Sequence, residues 1–313
     1  MAKNKFMMAA LRALSLFDFD IEKNYQLDRT IQSLTHPSIK AISRMAELVL
    51  PTASGTLKCA IFLPPRIGSL DVLFFIHGGG WVTGDISTYV VPCRTLAKLS
   101  GRIVISVDYR RAPEHKFPAA VEDCYEAAKA LIWGKSPLFV DERRLVLVGD
   151  SAGGNIAAAV SLMAKDRGEF SVRRQVLIYP SLANNHGDDS PFESVRTNGK
   201  DYLLTSKRVD EYLELYSSSP GDYTNPYFAP LCAKNLSGLP ATLVITAEYD
   251  PLRDEGEEYA RRLRAEGVAA ECYRMPEALH GFFMLPARFS VVKQTHKIIR
   301  EFLDRYGYDE KMG

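Results

Sequence analysis

Residues 144–160, RLVLVGDSAGGNIAAAV, run from an apolar segment typical of a strand directly into a small-residue segment typical of a helix. Ser151 stands at the junction, with Gly149 two residues before it and Gly153 two residues after it. This strand–GxSxG–helix pattern is the signature of a nucleophile elbow, a sharp turn that exposes a serine hydroxyl at the end of a strand. A serine that only caps a helix needs no glycine on either side. The stretch therefore predicts a nucleophilic serine in an α/β fold.

Apolar runs and helical patterns alternate along most of the chain. The runs are apolar throughout, as in strands that are covered on both faces. A repeated strand–helix order predicts a mostly parallel, eight-stranded sheet with helices on both sides. Two strands are expected within residues 45–63, and six more at 70–76, 102–109, 144–149, 174–180, 241–247 and 269–275. Helices are expected at 119–133, 151–167, 254–267 and 289–305.

Residues 1–44 and 183–225 fall outside this alternation. The second segment opens with the polar NNHGDDSPFE, contains a predicted helix at 206–217, and is too long for a plain connection. The Tyr, Leu and Phe content of residues 183–225 predicts an ordered cap. The catalytic domain would then consist of residues 45–182 and 226–313.

Composition and charge exclude several classes of function. A net charge of +1, without a basic block, offers no surface suited to nucleic acid, and no apolar run reaches the roughly 18 residues that a membrane span needs. Arg12 interrupts the N-terminal apolar run, which favours an amphipathic helix over a signal peptide. We expect a cytoplasmic protein, because the cysteines are odd in number and lack a CxxC pair. The cysteines are Cys59, Cys93, Cys124, Cys232 and Cys272.

A serine nucleophile needs a base, and the base needs an acid that orients it. In hydrolases with such an elbow, the acid and then the histidine follow the serine along the chain. The segment LVITAEYDPLRDEG places Asp250 just past a predicted strand end, where the loops of an open parallel sheet form sites. Glu248 lies closer to the strand, and Asp254 falls in the first turn of the next predicted helix. Asp250 is therefore the predicted acid.

Six histidines are candidates for the base, of which only His186, His280 and His296 follow Ser151. His186 precedes Asp250, against the expected order. His296 lies within the last predicted helix among lysines, and we expect it on the solvated face. His280 lies in EALHGFF, a predicted loop after the last strand. His280 is therefore the predicted base.

The glycine run in FFIHGGGWVTGD, residues 74–85, predicts a site for an oxyanion. Bare backbone there lets N–H groups approach a substrate oxygen. Gly79 and Gly80, with the N–H of Ala152, are the predicted donors, and His77 is expected to support the loop by hydrogen bonding. A phosphate-binding loop is the alternative, but both the GK[ST] sequence and the GxGxxG spacing are missing.

Five segments follow one another along the chain in the order of a known enzyme family: HGGGW (77–81), DYRRAPEHKFPAAVED (108–123), GDSAGGN (149–155), DPLRDEG (250–256) and HGF (280–282). On these segments the chain resembles the hormone-sensitive-lipase-like branch of α/β-hydrolase esterases, also called bacterial lipolytic family IV. Arg111, in the second segment, departs from the pattern, because relatives often carry an apolar residue there. We expect this change to alter a surface or cap contact and to leave the chemistry untouched.

The resemblance implies a serine carboxylesterase that acts on short- to medium-chain acyl esters through an acyl-enzyme, with no metal and no cofactor. It implies the same triad and the same oxyanion hole as the residue patterns predict, and a helical cap formed by residues 1–44 together with 183–225. Two alternatives stay open: a deacetylase or arylamidase using the same triad, and a non-catalytic small-ligand receptor. A homodimer is an expectation from analogy alone. Candidates for the acyl pocket are Phe17, Phe19, Tyr25, Trp81, Tyr202, Tyr212 and Leu213.

Overall fold

Eight strands of the described residues form one sheet, in the order β1-β2-β4-β3-β5-β6-β7-β8. The computed structural model describes residues 21–22, 24–26, 29–30, 45–136 and 138–307. Strand β2 runs antiparallel to its neighbours β1 and β4, and all other neighbouring pairs are parallel. The strands are β1 (Met45–Thr52), β2 (Gly55–Phe62), β3 (Val72–Ile76), β4 (Ile103–Val107), β5 (Leu145–Asp150), β6 (Arg174–Ile178), β7 (Ala241–Tyr249) and β8 (Ala270–Leu279). This arrangement confirms the predicted α/β fold with a mostly parallel, eight-stranded sheet.

Seven α-helices of the described residues from Met45 onward accompany the sheet. The four helices expected between strands and at the end of the chain are present, with ends shifted by at most two residues. The helices are α1 (Val90–Ser100), α2 (Ala119–Ile132), α3 (Ala152–Arg167), α4 (Glu193–Asn198), α5 (Ser206–Tyr216), α6 (Arg253–Ala265) and α7 (Ser290–Arg305).

Helix α1 was not predicted. Its sequence VVPCRTLAKLS opens with two β-branched residues and Pro92, which weaken a helical pattern. Pro92 lies in the first turn, where its missing N–H costs no intrahelical hydrogen bond. Cys93, Leu96 and Ala97 then bury one face of the helix against the sheet.

Both faces of the sheet are covered, and β3 shows how. All five of its residues are buried; Phe74 and Ile76 face one apolar cluster, and Leu73 and Phe75 face the other. Helices α2, α3 and α6 contribute to the first cluster, and α1 and α7 to the second. Burial on both faces explains why the strands read as continuous apolar runs.

His296 corrects one expectation, because its side chain is buried in α7 and does not lie on the solvated face. Its ring packs at 5.1 Å from the ring of Phe283, and burial lowers the pKa of the imidazole to about 4. Val292, His296, Ile299 and Leu303 share the spacing of one helical face and are all buried. That apolar spacing, rather than the neighbouring lysines, was the informative signal.

Residues 183–225 separate β6 from β7 and contain α4 and α5. Helix α5 matches the helix predicted at 206–217. The predicted amphipathic helix around Phe6 and Phe17 lies outside the described residues. No helix within the described ranges is long and apolar enough to cross a membrane.

Candidate active site

Ser151 follows β5 directly and begins the turn into α3. Its backbone has φ 55° and ψ −121°, a region that non-glycine residues rarely adopt. The Ser151 amide N–H donates to the carbonyl oxygen of Ile178 at 2.9 Å, which anchors the turn to β6. Such strain persists only where the surrounding structure enforces it, and it is concentrated at functional sites.

The glycines that flank Ser151 are required by close backbone contacts. A Cβ on Gly149 would overlap the carbonyl oxygen of Gly153, and a Cβ on Gly153 would overlap the carbonyl oxygen of Ile76. The turn therefore packs backbone against backbone and lies directly against the end of β3. Any side chain at either glycine would push the elbow away from the sheet.

The three side chains predicted from the GxSxG pattern and the chain order meet at one edge of the sheet. Ser151 Oγ lies 2.9 Å from Nε2 of His280, and Nδ1 of His280 lies 2.7 Å from Oδ2 of Asp250. Asp250 follows β7 and His280 follows β8, and these strands extend further than predicted because Tyr249 pairs with Leu279 beyond a register shift. The arrangement can remove the serine proton while the carboxylate fixes the imidazole tautomer.

Asp250 is fully buried and held in place from the backbone. Its Oδ1 accepts a hydrogen bond from the N–H of Leu252 at 2.9 Å, and the amide of Asn198 donates to its carbonyl oxygen at 3.3 Å. The other candidate acids have other partners. Glu248 accepts from the N–H of Glu277. Asp254, in the first turn of α6 as predicted, accepts from Ser194 and Arg253.

The glycine run turns sharply beside Ser151. Gly79 and Gly80 have φ of 114° and 59°, which side-chain-bearing residues rarely adopt. A Cβ on Gly79 would overlap the carbonyl oxygen of Thr83, and one on Gly80 would overlap the ring of Tyr212. Among the described residues, nothing accepts a hydrogen bond from the N–H of Gly79, Gly80 or Ala152. These three donors are therefore available to a ligand.

His77 is fully buried under this loop. Its Nδ1 lies 2.9 Å from the carbonyl oxygen of Gly78, and its ring stacks on Tyr109 with centroids 4.3 Å apart. Burial lowers the pKa of His77 to about 4, so the imidazole is neutral at ordinary pH. Arg111 binds the same loop, because its guanidinium donates to the carbonyl oxygen of Gly84 at 2.5 Å. Arg111, the residue that departs from the family pattern, thus contacts the glycine loop rather than the cap.

Asp150 plays a structural part that sequence reasoning missed. Its buried carboxylate accepts from the N–H of Gly78 at 2.9 Å and from the hydroxyl of Tyr89 at 2.9 Å. The hydroxyl of Tyr179, whose ring packs 4.7 Å from the ring of His280, donates at 3.3 Å. Burial raises the pKa of Asp150 to about 6. Its position directly before Ser151 was a signal in the sequence, but its hydrogen-bond partners Gly78 and Tyr89 lie far away along the chain and could not be predicted from that position.

Asn155 is a second residue that the sequence did not single out. Its amide donates to the carbonyl oxygen of Phe228 at 2.8 Å, and its Oδ1 accepts from the indole N–H of Trp81 at 3.3 Å. Trp81 also stacks on Tyr216 at 4.7 Å. Asn155 therefore joins the first turn of α3 to the glycine loop and to the segment that follows α5.

A cavity of about 230 Å³ opens above Ser151 and His280. Two of the predicted pocket residues, Trp81 and Tyr212, line it. Its apolar wall comes largely from residues 183–225 and from two loops of the sheet edge. The residues that these segments contribute to the wall are Leu203, Leu204, Val209, Tyr212, Leu252 and Met284.

The other described candidates for the pocket lie elsewhere. Tyr202 stacks on Tyr249 with centroids 5.2 Å apart, and the Tyr25 hydroxyl donates to Glu114. Leu213 follows Tyr212 on α5, and one step of a helix turns its side chain into the core instead. Phe17 and Phe19 lie outside the described residues. Within the described ranges, no cluster of three or more His, Cys, Asp or Glu side chains could hold a metal ion.

Comparison with known proteins gives three findings. A model of the α/β hydrolase fold family matches residues 73–284. An arylesterase of Saccharolobus solfataricus is 38% identical over 271 residues, which cover 84% of this chain and 86% of that protein. A solved structure of a hyperthermophilic esterase from Pyrobaculum calidifontis has a TM-score of 0.83 and 37% identity, over 97% of this chain and 99% of that one.

A plant receptor is also similar. A gibberellin receptor of Arabidopsis thaliana is 30% identical over 282 residues, which cover 87% of this chain and 74% of that protein. Because both esterases and a receptor are similar to this chain, the arrangement of Ser151, Asp250 and His280 is the feature that distinguishes an enzyme from a receptor.

Proposed function

We propose that Ser151, His280 and Asp250 catalyse the reaction of this protein, which belongs to the hormone-sensitive-lipase-like branch of the α/β-hydrolase fold family. The protein is a carboxylic ester hydrolase. One observation carries this proposal: an unbroken line of hydrogen-bonding contacts from Ser151 Oγ through the imidazole to the Asp250 carboxylate, at 2.9 and 2.7 Å. The strained backbone of Ser151 and the cavity above it support the same assignment.

The reaction proceeds in two halves. Ser151 Oγ attacks the ester carbonyl while His280 Nε2 accepts its proton, and Asp250 stabilises the imidazolium and keeps Nδ1 protonated. His280 then gives the proton to the departing alcohol oxygen, which leaves an acyl group on Ser151. Water attacks this acyl-enzyme with His280 again as the base, and the carboxylic acid is released.

The negative charge of each tetrahedral intermediate would rest on the N–H groups of Gly79, Gly80 and Ala152. Their lack of other acceptors among the described residues supports this role. The N–H of Ala152 also begins α3, where the helix dipole favours a developing negative charge. His77 would hold the glycine loop in shape through its contact with Gly78.

We also propose the division into a catalytic domain, residues 45–182 and 226–313, and a cap, residues 1–44 and 183–225. Cap residues such as Leu203 and Tyr212 line the cavity, which supports it. On the N-terminal side, the Arg29 guanidinium donates to the carbonyl oxygen of Val82, in the loop beside the site. The cap would set the size of the acyl chain.

A cavity of about 230 Å³ with an apolar wall suits short to medium acyl chains.

A net charge of +1 supports a small-molecule partner rather than nucleic acid. A cytoplasmic location is proposed on the five free cysteines, of which Cys59, Cys93 and Cys124 are buried. A homodimer through the edge strand β8 and helix α7 rests on analogy.

A small-ligand receptor is the second candidate, and the similarity to the gibberellin receptor favours it. A receptor has no need of a base within 2.9 Å of a strained serine, whereas hydrolysis does. Deacetylation and arylamide cleavage use the same groups and differ in the bond that is broken.

Purified protein and its Ser151→Ala variant, assayed on p-nitrophenyl esters from acetyl to palmitoyl, test the proposal. We expect hydrolysis to peak at short chains and to disappear in Ser151→Ala, while the exposed control Ser171→Ala keeps it. Activity that survives in Ser151→Ala would show that the nucleophile is wrong. A folded native protein that hydrolyses no ester but binds a small ligand would support the receptor.

A further inference from the structure

Arg208 is the feature of the cavity that ester hydrolysis does not explain. It lies on α5 and lines the same cavity as Ser151 and His280. Apart from the His280 imidazole, it is the only basic side chain among the described residues of the cavity wall. Asp150, the only acidic one, is already bound by Gly78 and Tyr89. A cation therefore faces a cavity whose wall is otherwise largely apolar.

The Arg208 guanidinium has little to bind within the protein. Its one side-chain hydrogen bond in the described structure goes to the carbonyl oxygen of Leu203, at a long 3.4 Å, and no described carboxylate pairs with it. Its neighbour Lys207 differs, because the Lys207 ammonium lies 3.7 Å from the carboxylate of Glu211 and the side chain is 63% exposed. Arg208 is half-buried at the cavity, and most of its five N–H donors have no acceptor among the described residues.

Helix stability does not account for this cation either. Arg208 lies in the first turn of α5, where its backbone N–H donates to the capping hydroxyl of Thr205 at 3.2 Å. The N-terminal end of a helix carries a partial positive charge, so a cation in the first turn is unfavourable and an acidic residue is preferred. This first turn contains no acidic residue. The position is therefore suited to an anion that arrives from outside.

We propose that Arg208 binds an anionic group of the substrate, a carboxylate above all, so that the enzyme prefers acidic esters over neutral ones. The inference rests on the proposed function, because it assigns a substrate class to the same site. A guanidinium offers two parallel N–H donors that match the two oxygens of a carboxylate. In a small cavity with a largely apolar wall, such a charge-assisted pair discriminates against a neutral analogue.

The carboxylate could lie on the acyl side or on the alcohol side of the ester. Two substrate pairs separate these cases. For the acyl side, the p-nitrophenyl monoester of succinic acid is compared with its methyl ester. For the alcohol side, 4-acetoxybenzoate is compared with methyl 4-acetoxybenzoate. The quantity measured is the ratio of kcat/KM for the acid to kcat/KM for its neutral methyl ester.

Three variants decide the proposal: Arg208→Met removes the charge, Arg208→Lys keeps it without the planar fork, and Lys207→Met removes a neighbouring exposed charge. We expect the ratio for one of the pairs to fall about ten- to hundredfold in Arg208→Met, the size of a lost charge-assisted hydrogen bond. Arg208→Lys should restore part of the ratio, and Lys207→Met should match the native protein. The native preference should weaken with added salt, and that of Arg208→Met should not.

Two results would overturn the inference. One is an unchanged ratio for both pairs in a folded Arg208→Met; the other is an equal change in Lys207→Met, which would indicate net charge rather than a specific contact. Failure of the proposed function would look different, because the native protein would then hydrolyse neither the acids nor their methyl esters. Ser151-dependent hydrolysis of the methyl esters keeps the two questions apart.

Discussion

The N–H of Gly78 donates to Oδ1 of Asp150 at 2.9 Å, across 72 residues of sequence. Asp150 directly precedes Ser151, and Gly78 directly precedes Gly79. One buried carboxylate therefore ties the loop that would bind the oxyanion to the residue that would attack the substrate. This contact links the position of the nucleophile to that of the oxyanion donors, and pre-organised donors are a large part of such catalysis.

Asp150 predicts a pH dependence of stability. The pKa of Asp150 in the folded protein is about 6, above the usual aspartate value of about 4, because burial disfavours the charged form. The stabilising contribution of the protonated carboxyl is fully present below the unfolded pKa and is lost as pH rises through about 6. Two pKa units correspond to about 3 kcal/mol. At pH 4 the unfolded carboxyl is already about half ionised, so from pH 4 to pH 7 Asp150→Asn should gain about 2 kcal/mol of this relative to the native protein.

Urea unfolding at each pH measures this difference. Asp141→Asn is the control. Hydrogen bonding to Arg143 lowers the pKa of Asp141 to about 2, so that carboxylate is ionised in both states above pH 5. Its difference from the native protein should stay level between pH 5 and pH 7. A level difference for Asp150→Asn as well would refute the prediction.

Gly79→Ala should lower kcat strongly. The φ of 114° is unsuited to alanine, and the added methyl group overlaps the carbonyl oxygen of Thr83, so the loop must move. A displaced oxyanion donor costs on the order of 100- to 1,000-fold in kcat. Steady-state kinetics on a short p-nitrophenyl ester measure the effect. In Gly221→Ala, where the nearest atom is Ser219 Oγ at 3.7 Å, kcat should stay native. A native kcat in Gly79→Ala would remove this loop from the mechanism.

Gly153→Ala should destabilise the protein, although alanine favours helices. Helix propensity alone predicts a gain of about 1 kcal/mol. The methyl group would instead overlap the backbone oxygen of Ile76, which cannot rotate away, and overpacking of this kind costs about 3 kcal/mol. Chemical denaturation measures the change in the free energy of unfolding. A stabilised Gly153→Ala would mean that the elbow does not pack against β3 as described.

Arg174→Met should also lower stability. Arg174 donates to both oxygens of Asp71 at 2.8 and 2.9 Å, and both side chains are buried. Removal of the guanidinium leaves a buried carboxylate whose one other ion-pair partner among the described residues is Arg102, and breaking a buried pair costs about 3–5 kcal/mol. The matched change Arg261→Met breaks an exposed pair with Glu258 and should have little effect. Equal effects of the two changes in urea unfolding would contradict this.

Local features of the sequence determined the fold class and the identity of the candidate site. Continuous apolar runs indicated strands covered on both faces, because burial acts on consecutive residues. The GxSxG pattern marked Ser151, because a sharp turn from a strand into a helix is signalled by glycines at these two positions of the sequence. Chain order, together with position relative to the predicted strands and helices, then selected Asp250 and His280 from the remaining acids and histidines.

Tertiary structure alone decided everything that depends on residues far apart in the chain. His280 reaches Ser151 across 129 residues because β5 and β8 end at the same edge of one sheet. The burial of Asp150 and His296, and the place of Arg208 in the cavity wall, follow from packing between distant elements. A local sequence pattern determines which face of its own helix or strand a residue occupies. Only the folded chain determines which residues pack against that face, because electrostatic, solvation and steric interactions depend on distance in space and not on distance along the chain.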